Sequence, residues 1–299
     1  MSDVARIGWD ADDCLAIAEF GLVGGGIRQY VCCDRAVVPL DTEAARSDWY
    51  SGTTLAPWPN RLAGGTWTWN GVQYEGDCND ARGHALHGLV YNARFEVTEQ
   101  REHAVTLSYT LGDHAIYPFR VRIDIMYAVH ANGLSSTLSA TNLADEAAPI
   151  ALGVHPYFPY AADTTLTSSA TKFNENGANL IPTGALRPVS ELGLTPGAAC
   201  SLGGLSLDNC LSDLDRDATG RAWTTLTYAD GTRTRIWQDA QLGYTQVFTK
   251  PDFPWAAGAS GAIGIEPQTA PANALNSGVD VQQLQPGATW SVRWGIECA

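Results

Sequence analysis

The stretch Val121–Leu138 reads "VRIDIMYAVHANGLSSTL", and its dominant period is two. Val121, Ile123, Ile125, Tyr127 and Val129 fall on one side of an extended chain. Successive side chains of a strand point to opposite faces, so this pattern describes a strand with one face in a core. Asn132-Gly133 follows, a pair that tolerates the positive φ of a tight hairpin. The combination recurs outward from here. "AVTLSYTL" (Ala104–Leu111) and "WTTLTYA" (Trp223–Ala229) alternate in the same way, and Asn70-Gly71 and Asp230-Gly231 give two more hairpin signals. Helical periodicity is scarce; "DTEAARSDWY" (Asp41–Tyr50) predicts one short helix or turn. No G-x-G-x-x-G or P-loop opens a helix, and no βαβ unit is visible. The expected fold is all-β, a large antiparallel β-sandwich, with residues 1–299 forming one domain.

Composition narrows the partners. The chain has 299 residues, 45% of them hydrophobic, and a formal net charge of -14. That charge argues against nucleic acid and anionic membrane surfaces, which call for basic patches. A small neutral substrate fits it better. No basic segment followed by an apolar run opens the chain, and no apolar stretch approaches the roughly 18 residues of a membrane span. A cytoplasmic protein, monomer or homodimer, is expected. The 7 cysteines show no C-x-x-C and no zinc spacing, which predicts unpaired thiols in a reducing compartment.

Four polar segments stand out against this background. "APWPNRLAGGTW" (Ala56–Trp67) is a Pro- and Gly-rich turn that presents Asn60 and Arg61, the latter a planar fork of donors. "RGHALHGL" (Arg82–Leu89) holds His84 and His87. Their spacing would suit a metal pair on a helix, but the flanking Gly83 and Gly88 disfavour a helix and no third ligand is near, so no metal is expected. One histidine as a hydrogen-bond donor to a ligand is the better reading. "LGVHPYFPY" (Leu152–Tyr160) places His155 before Pro156, which favours an extended backbone, and then supplies aromatic rings of the kind a sugar face packs on. In "AIGIEPQTAPANALNSG" (Ala262–Gly278), Glu266 is the lone charge between Asp252 and Asp280. A carboxylate at the end of a buried strand has its charged form disfavoured, which is one way a general base is made. "LSLDNCLSDL" (Leu205–Leu214) adds Asp208, with Asp213, Asp215 and Asp217 close behind.

Taken in order, "NRLAGG", "HALHG", "GVHPYF", "LDNCLSDL" and "GIEPQTAPANAL" resemble the aldose 1-epimerase, or galactose mutarotase, family. The C-terminal "LQPGATWSVRWGIE" (Leu284–Glu297) is similar to that family's closing strand, so the resemblance runs from about Pro57 to the end. It implies a large β-sandwich with its site in a cleft on one sheet face, and neither cofactor nor metal. It also implies a monosaccharide substrate, Glu266 as general base and His155 as general acid. Arg61, His87, Asp208 and Asn60 would hold the sugar. Leu211, after Cys210, stands where an aromatic is common in the family, and the Glu-Pro-Gln-Thr context departs from the better-known galactose enzymes, so the sugar is left open. An epimerase of a phosphorylated or sulfonated hexose is the nearest rival. A non-catalytic sugar-binding module and a glycoside hydrolase are others.

Overall fold

The computed structural model describes residues 3–11, 14–112, 114–258 and 261–298. The alternation at Val121 does what it predicts. In the strand Val121–His130 the five residues of the apolar face are buried. It pairs antiparallel with Gly133–Asn142, and both lie inside a nine-stranded sheet that continues through Thr289–Cys298, Arg233–Gln238 and Ala222–Thr227. A second, eight-stranded sheet includes Asp208–Leu214, Tyr244–Lys250, Gly261–Gln268, Gly153–Val154 and Thr54–Leu55. Ile123 and Ile125 from the first sheet share one apolar core with Val247, Ile263 and Ile265 from the second. A four-stranded sheet built from Val4–Ala11, Cys14–Gly21, Ile27–Cys32 and Arg35–Val38 joins that core, with Phe20 stacked on Tyr127 at 4.1 Å between ring centres. The fold is the expected antiparallel β-sandwich.

The three hairpins form, but one turns for a different reason. Asn70 and Gly71 both take positive φ, 49° and 79°, between the paired residues Trp69 and Val72. Gly231 does the same at 83° in the Tyr228–Thr232 loop. At the central hairpin, however, His130 pairs with Gly133, so the turn residues are Ala131 and Asn132. Gly133 is already in the strand, where a Cβ would sit 2.0 Å from the Ile296 carbonyl oxygen. Glycine is needed there for close approach of the neighbouring strand, not for its φ.

The segment Asp41–Tyr50 yields a short helix, α1 (Glu43–Trp49). Thr42 caps its start by accepting from Ala45 N–H at 3.2 Å, and Tyr50 ends it in the left-handed region. The expectation of unpaired thiols fails at one place, since Cys14 and Cys33 form a disulfide. Pairing of Cys14–Gly21 with Ile27–Cys32 carries the start of one strand to the turn after the other, leaving the two Cα atoms 4.6 Å apart. Among the described residues no helix is long and apolar enough to cross a membrane.

The buried face of Val121–His130 carries the core, so truncation there is costly. Ile123→Ala is expected to destabilise by about 2–5 kcal/mol in a denaturant titration. Met126→Ala, on the half-exposed opposite face of the same strand, is expected to stay within about 0.5 kcal/mol.

Candidate active site

The second sheet places polar groups on its outer face by register alone. Residues directly opposite on paired strands point the same way. Gln246 lies opposite Glu266 and Cys210 opposite Gln246, which makes one row across the sheet. The next row joins Asp208, Phe248, Gly264 and Tyr157. The opposite face of the Gly261–Gln268 strand carries Ile263 and Ile265 into the core. All eight residues of that strand are buried, so both of its faces are covered. This accounts for the lone carboxylate: a strand buried on both sides carries no charge it does not use. The strand also runs on through Pro267 to Gln268, so Glu266 sits within it and not at its end.

The rest of the site folds over that face. Asn60 adopts φ 56°, and its side-chain oxygen accepts from Arg61 N–H at 2.8 Å and from Arg61 Nη1 at 3.3 Å. Arg61 begins a two-residue strand paired with Ala85–Leu86, which brings "NRLAGG" beside "HALHG". His87 also takes a positive φ, 66°. Its Nδ1 accepts from Asn60 N–H at 3.3 Å, so the other ring nitrogen carries the proton and can donate to a ligand. Burial, with His155 and Arg61 nearby, holds His87 well below the ordinary imidazole range, which keeps it neutral. His84 faces elsewhere. Its Nδ1 accepts from Gly64 N–H at 3.1 Å and its Nε2 contacts the Asn179 carbonyl at 3.2 Å, so the two histidines make no metal pair.

These elements line a small open cleft of about 130 Å³. It is lined by Asn60, Arg61, His87, His155, Asp208 and Glu266, all of which the sequence singles out. Of the aromatics after His155, only Tyr157 lines it, since Phe158 points into the core. Of the acids near Asp208, Asp213 pairs with Lys172 at the surface and Asp217 holds its own turn by accepting from Thr219 N–H and Oγ1.

Several residues escape sequence reading. Asp48, Trp49 and Tyr50 reach the cleft from α1 and its cap, and Gln246 and Phe248 from the central sheet. Asp41 anchors α1 by accepting from Arg46 Nη1 at 2.6 Å and from Arg28 Nε at 3.4 Å. Trp49 stacks on Phe248 at 6.0 Å, and Tyr50 meets His87 edge-on at 4.7 Å. Gln246 bridges two groups, donating to Asp208 Oδ1 at 2.8 Å and accepting from Asn60 Nδ2 at 3.3 Å. Asp80 holds Arg61 Nε at 2.8 Å while accepting from the backbone of Arg82 and His84. The hairpin signals and the His155 motif are local, whereas Gln246 and Asp80 are revealed only by pairing between distant segments.

At the floor, His155 Nε2 lies 3.4 Å from Glu266 Oε1. Gln268 donates to the other carboxylate oxygen at 3.1 Å. Gly264 makes room, because a Cβ there would stand 3.0 Å from Glu266 Oε1. Burial, then the nearby Asp208, pushes the Glu266 carboxyl well above the ordinary carboxylate range. Burial pulls the His155 imidazole down to about 3. Desolvation of the buried ring dominates that shift. Both shifts favour the uncharged forms, a protonated Glu266 and a neutral His155. Burial also raises Asp208, against the opposing effect of Arg61.

The sequence matches the family described as aldose 1-epimerase over residues 14–297. It is 28% identical over 246 residues to the Escherichia coli K12 protein YihR, itself described as uncharacterized, covering 79% of this chain and 75% of that protein. The fold is similar to the crystal structure of a GalM/aldose epimerase homologue from C. elegans, with a TM-score of 0.83, 20% identity and 99% of each chain covered. A galactose mutarotase-like protein from Clostridium acetobutylicum gives a TM-score of 0.82 at 19% identity, again over 99% of each chain. The match over nearly the whole length shows that this chain belongs to the aldose 1-epimerase family.

Proposed function

We propose that this protein is an aldose 1-epimerase that interconverts the α and β anomers of an uncharged free aldohexose, with Glu266 and His155 as its acid–base pair. The 3.4 Å contact between these two buried groups carries the reading. Ring opening needs two proton transfers at one carbon. The C1 hydroxyl proton passes to the Glu266 carboxylate while His155 Nε2 gives a proton to the ring oxygen. The bond from C1 to the ring oxygen breaks and the carbonyl forms. After rotation about C1–C2 the ring closes on the other carbonyl face, and both protons return. Nothing is consumed and no covalent enzyme intermediate is required.

The uncharged resting pair feeds this chemistry. Movement of the Glu266 proton to His155 creates carboxylate and imidazolium without changing the proton count. The hydroxyls of a bound sugar supply the dipoles that favour this separated form. His87 donates to one hydroxyl, Asp208 accepts from another, and Arg61 and Asn60 hold the ring edge. Trp49, Tyr157 and Phe248 offer aromatic faces to its C–H side.

The charge of the cleft supports an uncharged sugar over an anionic one. Among the described residues Arg61 is the only Arg or Lys lining it, and Asp80 already holds that guanidinium. Asp48, Asp208 and Glu266 line the same space. A binding module needs no buried acid–base pair, and a glycosidase assignment of Glu266 and Asp208 gives His155 no part.

Two outcomes are expected. In polarimetry of freshly dissolved α-glucose and α-galactose, the wild type accelerates the approach to equilibrium, while Glu266→Gln and His155→Gln each slow it by roughly 10²–10⁴-fold. A Glu266→Gln enzyme at full rate contradicts the assignment, and acceleration of hexose 6-phosphates alone contradicts the substrate class. Stability follows the shifted groups. The folded state keeps a proton on Glu266 that the unfolded chain releases above its ordinary value of 4.5. Stability therefore falls as pH rises from there towards the folded value. Glu266→Gln removes that loss, so its gain in denaturation midpoint over wild type grows from pH 4 to pH 8. For His155 the sign is reversed: stability falls as pH drops from about 6.5 towards about 3, and His155→Gln flattens that arm.

A further inference from the structure

Four of the seven cysteines gather far from the cleft residues in sequence, around the end of the strand Ile27–Cys32. The sulfurs of Cys14, Cys32 and Cys33 all lie within 4.8 Å of one another. Cys14 and Cys33 are bonded, while Cys32 is a free thiol. The fourth, Cys298, ends the strand Thr289–Cys298 of the nine-stranded sheet. Its thiol donates to the Tyr30 hydroxyl at 3.8 Å, close enough to Cys32 to perturb that thiol's titration. A free thiol thus faces a disulfide on one side and a second thiol on the other.

We propose that this cluster is a thiol–disulfide exchange site, in which Cys32 moves the disulfide from within the N-terminal sheet to the C-terminal strand. In the first step the Cys32 thiolate attacks Cys14 Sγ. A bond forms between Cys32 and Cys14, the Cys14–Cys33 bond breaks, and Cys33 leaves as a thiolate in its exposed turn. Attack on Cys33 instead would close a bond between adjacent residues, so Cys14 is the favoured electrophile. In the second step Cys298 attacks Cys32 Sγ and forms the Cys32–Cys298 bond, while the Cys14–Cys32 bond breaks and Cys14 leaves with the proton that Cys298 gives up. One disulfide exists throughout, so no outside oxidant or reductant enters. The hydrogen bond from Cys298, helped by Tyr30 and the charge of Arg35, lowers the Cys32 thiol to about 6 against the opposing cost of burial, which favours the attacking thiolate. Cys32 is only 2% exposed, so its available partners are these neighbours and not solvent reagents. The exchange would free Cys33, an exposed residue, to form mixed disulfides by exchange with small disulfides, each releasing one small thiol.

The test is disulfide mapping on the whole folded chain. The protein is oxidised with a low-molecular-weight disulfide, freed of it, held at pH 8, then quenched in acid and alkylated before proteolysis. Wild type is expected to yield Cys14–Cys32 and Cys32–Cys298 peptides beside Cys14–Cys33. Cys298→Ala should stop at Cys14–Cys32, and Cys32→Ser should keep Cys14–Cys33 alone. Cys32→Ala serves the same purpose if the serine variant loses its native circular dichroism. Cys14–Cys33 as the single bond in wild type, its failure to form, or redistribution that persists without Cys32 would each overturn the proposal.

Discussion

The structure of the site depends on one constraint: Glu266 and His155 are both buried and lie 3.4 Å apart. Burial disfavours charge on either group, so each alone would settle neutral and idle. Placed together they can separate charge by moving a proton between themselves, with no change in proton count. The surrounding residues serve that arrangement. Gln268 fixes one carboxylate oxygen, and Gly264 leaves the space the other occupies. The His155 backbone is held from both sides by Thr53 and Gly52, which ties it to the strand Thr54–Leu55.

The outer ring of the cleft works by relay. Gln246 joins Asp208 to Asn60, and Asn60 in turn orients both Arg61 and His87. Asp80 holds Arg61 Nε and Asn60 holds Nη1, which fixes the direction of the guanidinium. Such a chain fixes donors and acceptors before any ligand arrives, so little ordering is left to a binding step. It also explains why positive φ recurs at Asn60 and His87, where the backbone must turn sharply to aim short side chains inward.

Much of the fold was legible because a sandwich face is written at period two. The run Val121–Val129 names its own buried face, and Asn70-Gly71 names its own turn. The central hairpin shows the limit, since Gly133 answers to a strand contributed by residues far away at Ile296. The site divides along the same line. Glu266, His155, His87, Arg61, Asn60 and Asp208 stand in short segments with local oddities: a lone charge, a His-Pro step, a Gly-flanked histidine. Gln246 sits in an unremarkable alternating strand and is brought to Glu266 by register alone. Asp48, Trp49 and Tyr50 are carried in by a helix whose position is set by the buried Asp41. The protonation of the pair was illegible for a related reason, because desolvation depends on what covers a group from every side, and Cys14 and Cys33 met only through strand pairing.

The most direct test of this account is the ionisation of Glu266 in the resting protein. Carbon-13 NMR of protein labelled at the glutamate side-chain carboxyl, with the signal assigned by its loss in Glu266→Gln, follows that one group through a pH titration. The account predicts a Glu266 resonance at the protonated position through neutral pH, long after the exposed glutamates have ionised. A resonance that titrates with the exposed glutamates, near the ordinary value of 4.5, would contradict it, for the pair would then rest as an ion pair or without that proton.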